Sequence, residues 1–207
     1  VEIDKNIENF TIGKDRELDM YFAKYDVLGT LAHISMLKEV GLITDEEYNL
    51  LKKQLKEIFD RIENNQFTIE EGIEDIHSAI EFELTKKLGE IGKKVHTARS
   101  RNDQVLLDLK LYFRDEILEI AKKTKNLFDI LIELSEKYKD VLIPGYTHLQ
   151  VAMPSSFGLW FGAYAESLSD DLMILLSAFQ VINQNPLGSA AGYGTSLPIK
   201  RQITTDL

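Results

Sequence analysis

The run Gln104 to Lys139, QVLLDLKLYFRDEILEIAKKTKNLFDILIELSEKYK, decides the fold. Val105, Leu109, Tyr112, Phe113, Leu118, Ile120, Leu127, Leu131 and Leu134 keep an apolar face through it, and neither Gly nor Pro interrupts it. At 1.5 Å per residue such a helix is about 50 Å long. A chain of 207 residues cannot bury so long a stripe without neighbours of similar length. The run therefore predicts a bundle that helices from other subunits complete.

The flanks agree. A second long helix is expected from about Pro154 to Asn183, with Pro154 in its first turn. It is apolar almost all round at Trp160-Phe161, which suits the centre of an assembly. Gly158, Gly162 and Ala163 let another helix pack close to it. Upstream, residues 1–14 read as an irregular polar arm, and Asp15 as the cap of a helix from about Arg16 to Val40. Gly29 interrupts that helix at about 1 kcal/mol against Ala, which marks the close approach of a neighbour or a ligand. Gly41 stops it. Thr44 with Glu47 is a capping box opening a helix to about Asn64. Ile73, Ile76, Ile80 and Leu84 stripe the segment Glu70 to Gly89. The expected fold is all-α: an N-terminal helical domain over 1–103, then part of a long-helix bundle over 104–207.

Composition narrows the function. Hydrophobic residues make up 44 % and there are only four prolines, so a large helical core is available. A net charge of −10 argues against non-specific nucleic-acid binding, while leaving room for a local positive pocket. There is no cysteine, and the four histidines, His33, His77, His96 and His148, lack metal-ligand spacing. Neither a metal nor a cofactor is expected. No run approaches the roughly 18 apolar residues of a membrane span, and no secretory signal is visible, so a cytoplasmic protein is expected. The chain begins with Val rather than Met, as a trimmed start would. The Gly-rich stretch Asn185 to Thr195 lacks the Gly-Lys-Ser/Thr ending of a phosphate loop.

Polar chemistry concentrates at two places. Val95-His96-Thr97-Ala98-Arg99-Ser100-Arg101-Asn102-Asp103-Gln104 immediately precedes the long helix. Ser100 or Asn102 can cap it, and the dipole end with Arg99 and Arg101 makes an anion site. The competing reading is a charged loop whose arginines pair with nearby Asp and Glu. Thr147-His148-Leu149-Gln150 sets a proton-transfer group beside a hydroxyl and an amide. A long helix separates the two clusters, so only subunit contacts bring them together. Asp75 and His77 are two apart, about 200° round a helix, so both reach one ligand only from a loop or helix end. Thr30 reads first as a helix hydroxyl bonded to the preceding turn. His33 and His96 read as structural.

Three strings together resemble the argininosuccinate lyases of the fumarase/aspartase superfamily. They are His96 to Gln104; Gly145-Tyr146-Thr147-His148-Leu149-Gln150 with Ala152 and Pro154; and Asp26-Val27-Leu28-Gly29-Thr30-Leu31-Ala32-His33. The resemblance implies cleavage of argininosuccinate to arginine and fumarate, by proton removal next to a carboxylate and then C–N scission. It implies Arg101, Asn102, Thr147 and His77 at the fumarate end, and Thr30, Asp75 and Asn102 at the arginine end. It also implies Gln150 in the substrate site, His148 with Thr147 in proton transfer, and a homotetramer sharing sites among subunits. The family usually has Ser where this chain has Thr30. The chain ends before the family's flexible serine loop, so the 207 residues alone are expected to be inactive. The rivals are a sibling lyase such as adenylosuccinate lyase, and a crystallin-like scaffold without catalysis.

Overall fold

Helix α3 (Ala23–Glu39) buries Ala23, Tyr25, Val27, Ile34, Met36 and Leu37. It packs on α4 (Asp45–Glu63), which supplies Leu51, Leu55, Ile58 and Ile62, and on α5 (Ile76–Leu88), which supplies Ile76, Ala79, Ile80 and Leu84. These residues come from a computed structural model that describes residues 4–207. The capping box at the start of α4 forms as the sequence predicts. Thr44 Oγ1 accepts from the Glu47 N–H at 3.2 Å, and Glu47 Oε2 accepts from the Thr44 N–H at 3.0 Å.

Several boundaries differ from expectation, each for a local reason. The arm expected over 1–14 is a helix, α1 (Lys5–Ile12), because Asp4 caps it by accepting from the Asn6 N–H at 2.8 Å; residues 1–3 lie outside the described residues. The expected helix from Arg16 to Val40 is broken. Asp15 caps nothing and instead begins a short α2 (Asp15–Leu18), followed by a 3₁₀ turn over Asp19–Tyr21. Asp19 Oδ2 accepts the Ile76 N–H at 3.0 Å, so the turn is held by the start of α5 rather than by the helix's own ladder. The segment from Glu70 becomes helical only at Ile76, where Asp75 is the cap and accepts from Ser78 N–H at 2.7 Å.

The long helix α7 runs Arg101–Lys137, 37 residues, close to the predicted span. A short α6 (Glu90–Lys93) and a 3₁₀ turn (Lys94–His96) precede it. After it, the break at Ile143–Gln150 is an antiparallel hairpin of β1 (Leu142–Thr147) and β2 (Gln150–Ser156). Pro154 therefore lies in β2, opposite Pro144, and not in a helix's first turn. Two prolines that donate no backbone hydrogen bond are tolerated there because both strands are edges. Helix α8 (Phe157–Ile182) starts at its own cap, where Ser156 Oγ accepts from Leu159 N–H at 3.1 Å. A final α9 spans Arg201–Asp206. Apart from the hairpin the described residues carry no strand, and the fold is all-α in class.

The chain forms two compact units, one of residues 1–112 with 184–207 and one of 113–183. In the second unit α8 lies close on the C-terminal part of α7. A Cβ on Gly158 would stand 2.6 Å from Lys139 Cα, and Ser135 Oγ donates to the Gly158 carbonyl at 2.7 Å. The close approach expected at Gly158 is thus made. Trp160 packs edge-on against Phe161 and Tyr164, yet it remains 48 % exposed, as do Met173 at 65 % and Ile174 at 72 %. A helix this apolar leaves a broad face uncovered within one chain.

Candidate active site

In the first unit the polar stretch before α7 is folded by its own side chains. Ala98 takes a positive φ of 58°, which turns the chain so that Arg99 points inward and Arg101 outward. Ser100 Oγ accepts from Asn102 N–H at 3.3 Å, and Asp103 Oδ1 accepts from Ser100 N–H at 2.9 Å. Of the two capping candidates, Ser100 is the cap. Asp103 Oδ2 also accepts from Gly188 N–H at 3.1 Å and Ala190 N–H at 2.8 Å, which fastens the Gly-rich stretch to the helix start.

The two arginines separate in role. Arg101 is half-exposed and paired with Glu74 at 2.9 Å and Asp75 at 3.0 Å. Its pKa, despite some burial, is raised by the Glu74 hydrogen bond and the charge of Asp75. Both readings of this stretch therefore apply: the guanidinium stands at a helix N-terminus, and acidic neighbours hold it there. Asn102 is exposed beside it.

Arg99 is buried. Its Nη1 donates to Thr30 Oγ1 and to Gln104 Oε1, each at 2.9 Å. Thr30 Oγ1 donates in turn to Asp26 Oδ1 at 3.3 Å. Gln104 Nε2 donates to the Asp26 carbonyl at 3.1 Å and to Asp108 Oδ1 at 3.0 Å. Asp26 Oδ2 meets His77 Nδ1 at 3.2 Å, and His77 Nε2 meets His96 Nδ1 at 3.3 Å. One connected network thus joins α3, α5, the loop and α7. Burial would push Asp26 up, but the His77 hydrogen bond and the charges of His77 and Arg99 outweigh it and hold its pKa down. Burial, reinforced by the Asp26 charge, pushes Asp108 well up. The pKa values of the two buried carboxyls are thus driven in opposite directions. Burial, with the Arg99 charge, lowers His33 to about 3, and burial also lowers His96.

The sequence reading placed Thr30, Asp75, His77, Arg101 and Asn102 at a site, and the first unit contains all five. Asp75 and Arg101 touch, and His77 joins Thr30 through Asp26. Thr30 itself is fully buried, with its hydroxyl committed to Arg99 and Asp26. Sequence reasoning missed Asp26, Arg99, Gln104 and Asp108 as members of one network. The available signal was Asp26 four residues before Thr30, a carboxylate inside an apolar helix that must find a partner.

Thr147, His148 and Gln150 lie in the second unit, at the tip of the hairpin. Thr147 and Gln150 are register partners, with His148 and Leu149 the two-residue loop between them. Both loop residues have positive φ, 50° and 64°, as a type I′ turn requires, though such turns favour Asn and Gly. The tip is exposed.

A profile of the family described as Lyase matches residues 2–207. Among curated proteins, the argininosuccinate lyases of Parabacteroides distasonis and Bacteroides fragilis are 61 % and 60 % identical over all 207 residues, which cover 46 % of each relative. That of Thermotoga neapolitana is 42 % identical over 98 % of the chain and 51 % of its own length. The chain spans about half the length of the curated relatives it matches. Among solved structures, EDDS lyase in complex with formate superposes with a TM-score of 0.80 at 24 % identity, over 99 % of this chain and 40 % of that one. A fumarate lyase from Mesorhizobium sp. BNC1 gives 0.75 at 17 % identity, over 97 % of this chain and 46 % of that one. These structural likenesses bear on the fold.

Proposed function

The chain belongs to this lyase family, and on that premise we propose that the protein is an argininosuccinate lyase, a carbon–nitrogen lyase of arginine biosynthesis that releases fumarate. The observation that carries the reading is identity of 61 % along the whole chain with a curated enzyme of that name.

The chemistry asks for two things. A proton must leave a carbon next to a carboxylate, and the charge that then spreads over that carboxylate must meet donors already in place. Arg101 and Asn102, at the positive end of α7, are suited to the fumarate end, with Thr147 and His77. Asp75 and Asn102 are suited to the guanidinium end, with Thr30 bonded into the Asp26–Arg99 network behind that role. His148 moves the proton beside Thr147, and Gln150 completes the substrate contacts. In this reading the working site is shared among neighbouring subunits of a homotetramer, as the family resemblance of the sequence implies. The uncovered apolar face of α8 supports that assembly. In it, 1–103 form the N-terminal domain and 104–207 part of the shared bundle. A cytoplasmic location is consistent with the absence, among the described residues, of a helix long and apolar enough to cross a membrane.

The test is fumarate release, followed by ultraviolet absorbance, from the intact protein given argininosuccinate or adenylosuccinate. Turnover of argininosuccinate alone is expected, with a kcat about 10² to 10⁴ lower in His148→Asn. Preference for adenylosuccinate, or no release from either, overturns the reading.

A further inference from the structure

His77, Glu81 and His96 aim three ligand atoms at one point. His77 and Glu81 are one turn apart on α5, and His96 arrives from the turn before α7. The three ligand atoms lie within 4.8 Å of one another. His77 Nε2 is 3.3 Å from His96 Nδ1, which is 3.7 Å from Glu81 Oε2. Ligands about 2.0–2.2 Å from a tetrahedral metal stand about 3.3–3.6 Å apart. Two of the three pairs already have nearly that spacing.

The His77 ring also faces the right way. Asp26 accepts from His77 Nδ1–H at 3.2 Å, so in the neutral imidazole, the form that binds a metal, the Nε2 lone pair is directed at the cluster. A carboxylate behind a histidine is the usual support for a metal-binding imidazole. Access is open from one side: the His96 side chain is 43 % exposed and that of Glu81 36 %.

We propose that His77 Nε2, His96 Nδ1 and Glu81 Oε2 form a three-ligand site for a divalent first-row transition metal of the zinc type, with the fourth position open to water or a small ligand. Two imidazoles select such ions over Mg²⁺ and Ca²⁺, which prefer oxygen throughout. The site shares His77 with the substrate contacts proposed above. Its test does not use turnover, so either idea can fail without the other.

The test titrates the metal-stripped intact protein with Co²⁺. One equivalent per chain is expected to give the intense visible bands of four-coordinate cobalt, displaced by Zn²⁺ and not by excess Mg²⁺. His96→Ala and Glu81→Gln should each weaken that binding at least about tenfold. Circular dichroism reports the fold of each variant, and Glu81→Gln, the milder change, reads the site if His96→Ala does not fold. Absence of saturable Co²⁺ binding overturns the site, as does unchanged affinity in a folded variant.

Discussion

Asp26 Oδ2 accepts a hydrogen bond from His77 Nδ1 at 3.2 Å, with both side chains buried. Asp26 is also the negative partner nearest in influence to the buried Arg99, whose own pKa burial lowers and Asp26 raises. One carboxylate therefore orients a histidine and balances a buried guanidinium. Asp26→Asn keeps the shape and removes the charge. Breaking a buried ion pair on one side costs about 3–5 kcal/mol. Urea unfolding should show that loss as a lower midpoint with an unchanged slope, and a loss under about 1 kcal/mol would mean that Arg99 is neutralised elsewhere.

Gly92 is required by packing and not by its backbone angle. A Cβ there would lie 2.5 Å from the Leu84 carbonyl carbon and oxygen and from the Thr85 nitrogen. Those atoms belong to the backbone of α5, so no side-chain rotation relieves the clash. Gly92→Ala gains up to about 1 kcal/mol of helix propensity and loses more by forcing α6 away from α5. A net destabilisation of about 2–3 kcal/mol is expected in thermal or denaturant unfolding. Gly29→Ala should be milder, because its nearest atoms are the ends of the Leu107 and Gln104 side chains, at 2.8 and 3.0 Å.

Long periodic segments were legible in the sequence because a stripe of Leu, Ile and Phe at helical spacing has few other solutions. That is why α4, α7 and most of α8 fall where expected. The hairpin was not legible. Its strands are short, carry two prolines and alternate poorly, so nothing in them signals a strand pair ahead of the helix expected from Pro154. The break at Asp19–Phe22 was hidden for a different reason, since it depends on a hydrogen bond to Ile76, 57 residues away. The same limit applied to the site. Arg101, Asn102, Asp75 and His77 stood out by motif, but the pairing of Arg99 with Thr30, and of His77 with His96, joins residues that spacing cannot connect. His77 and His96 looked scattered because sequence distance is not spatial distance.

Asp19 and His33 act on the acid stability of the first unit in opposite directions. Burial, partly offset by the Ile76 N–H, raises Asp19 from 3.8 to about 6. Its folded pKa lies above its unfolded one, so folding takes up a proton in that window and stability falls as pH rises from about 4 to 6. Burial, with Arg99, lowers His33 from 6.5 to about 3. Its unfolded state binds the proton first, so stability falls as pH drops from 6.5 towards 3. His33 is the more deeply buried, with the larger shift, and should dominate. Asp19→Asn, which keeps an acceptor for Ile76, should therefore steepen the loss of stability on acidification. After allowance for solvent it should add about 1 kcal/mol at pH 7. His33→Gln should flatten the same limb. Denaturant midpoints measured from pH 4 to 7 decide both.

Asp103 binds three backbone N–H groups at once, those of Ser100 at 2.9 Å, Ala190 at 2.8 Å and Gly188 at 3.1 Å. Only a carboxylate offers acceptors on both oxygens. In Asp103→Asn one oxygen becomes an amide NH2, a donor, and whichever way the amide turns that group confronts backbone N–H donors. If the oxygen stays on Ser100, the capping turn survives and the stretch 185–195 is released, although Leu187 remains anchored by burial at 1 % exposure. Hydrogen bonds to a charged group are worth about 1.5–3 kcal/mol. Amide exchange at Gly188 and Ala190 should therefore accelerate by roughly ten- to a hundredfold while amides of α4 keep most of their protection. Equal acceleration everywhere would place Asp103 in global stability alone, and no acceleration at Gly188 and Ala190 would show that something other than this carboxylate holds the stretch.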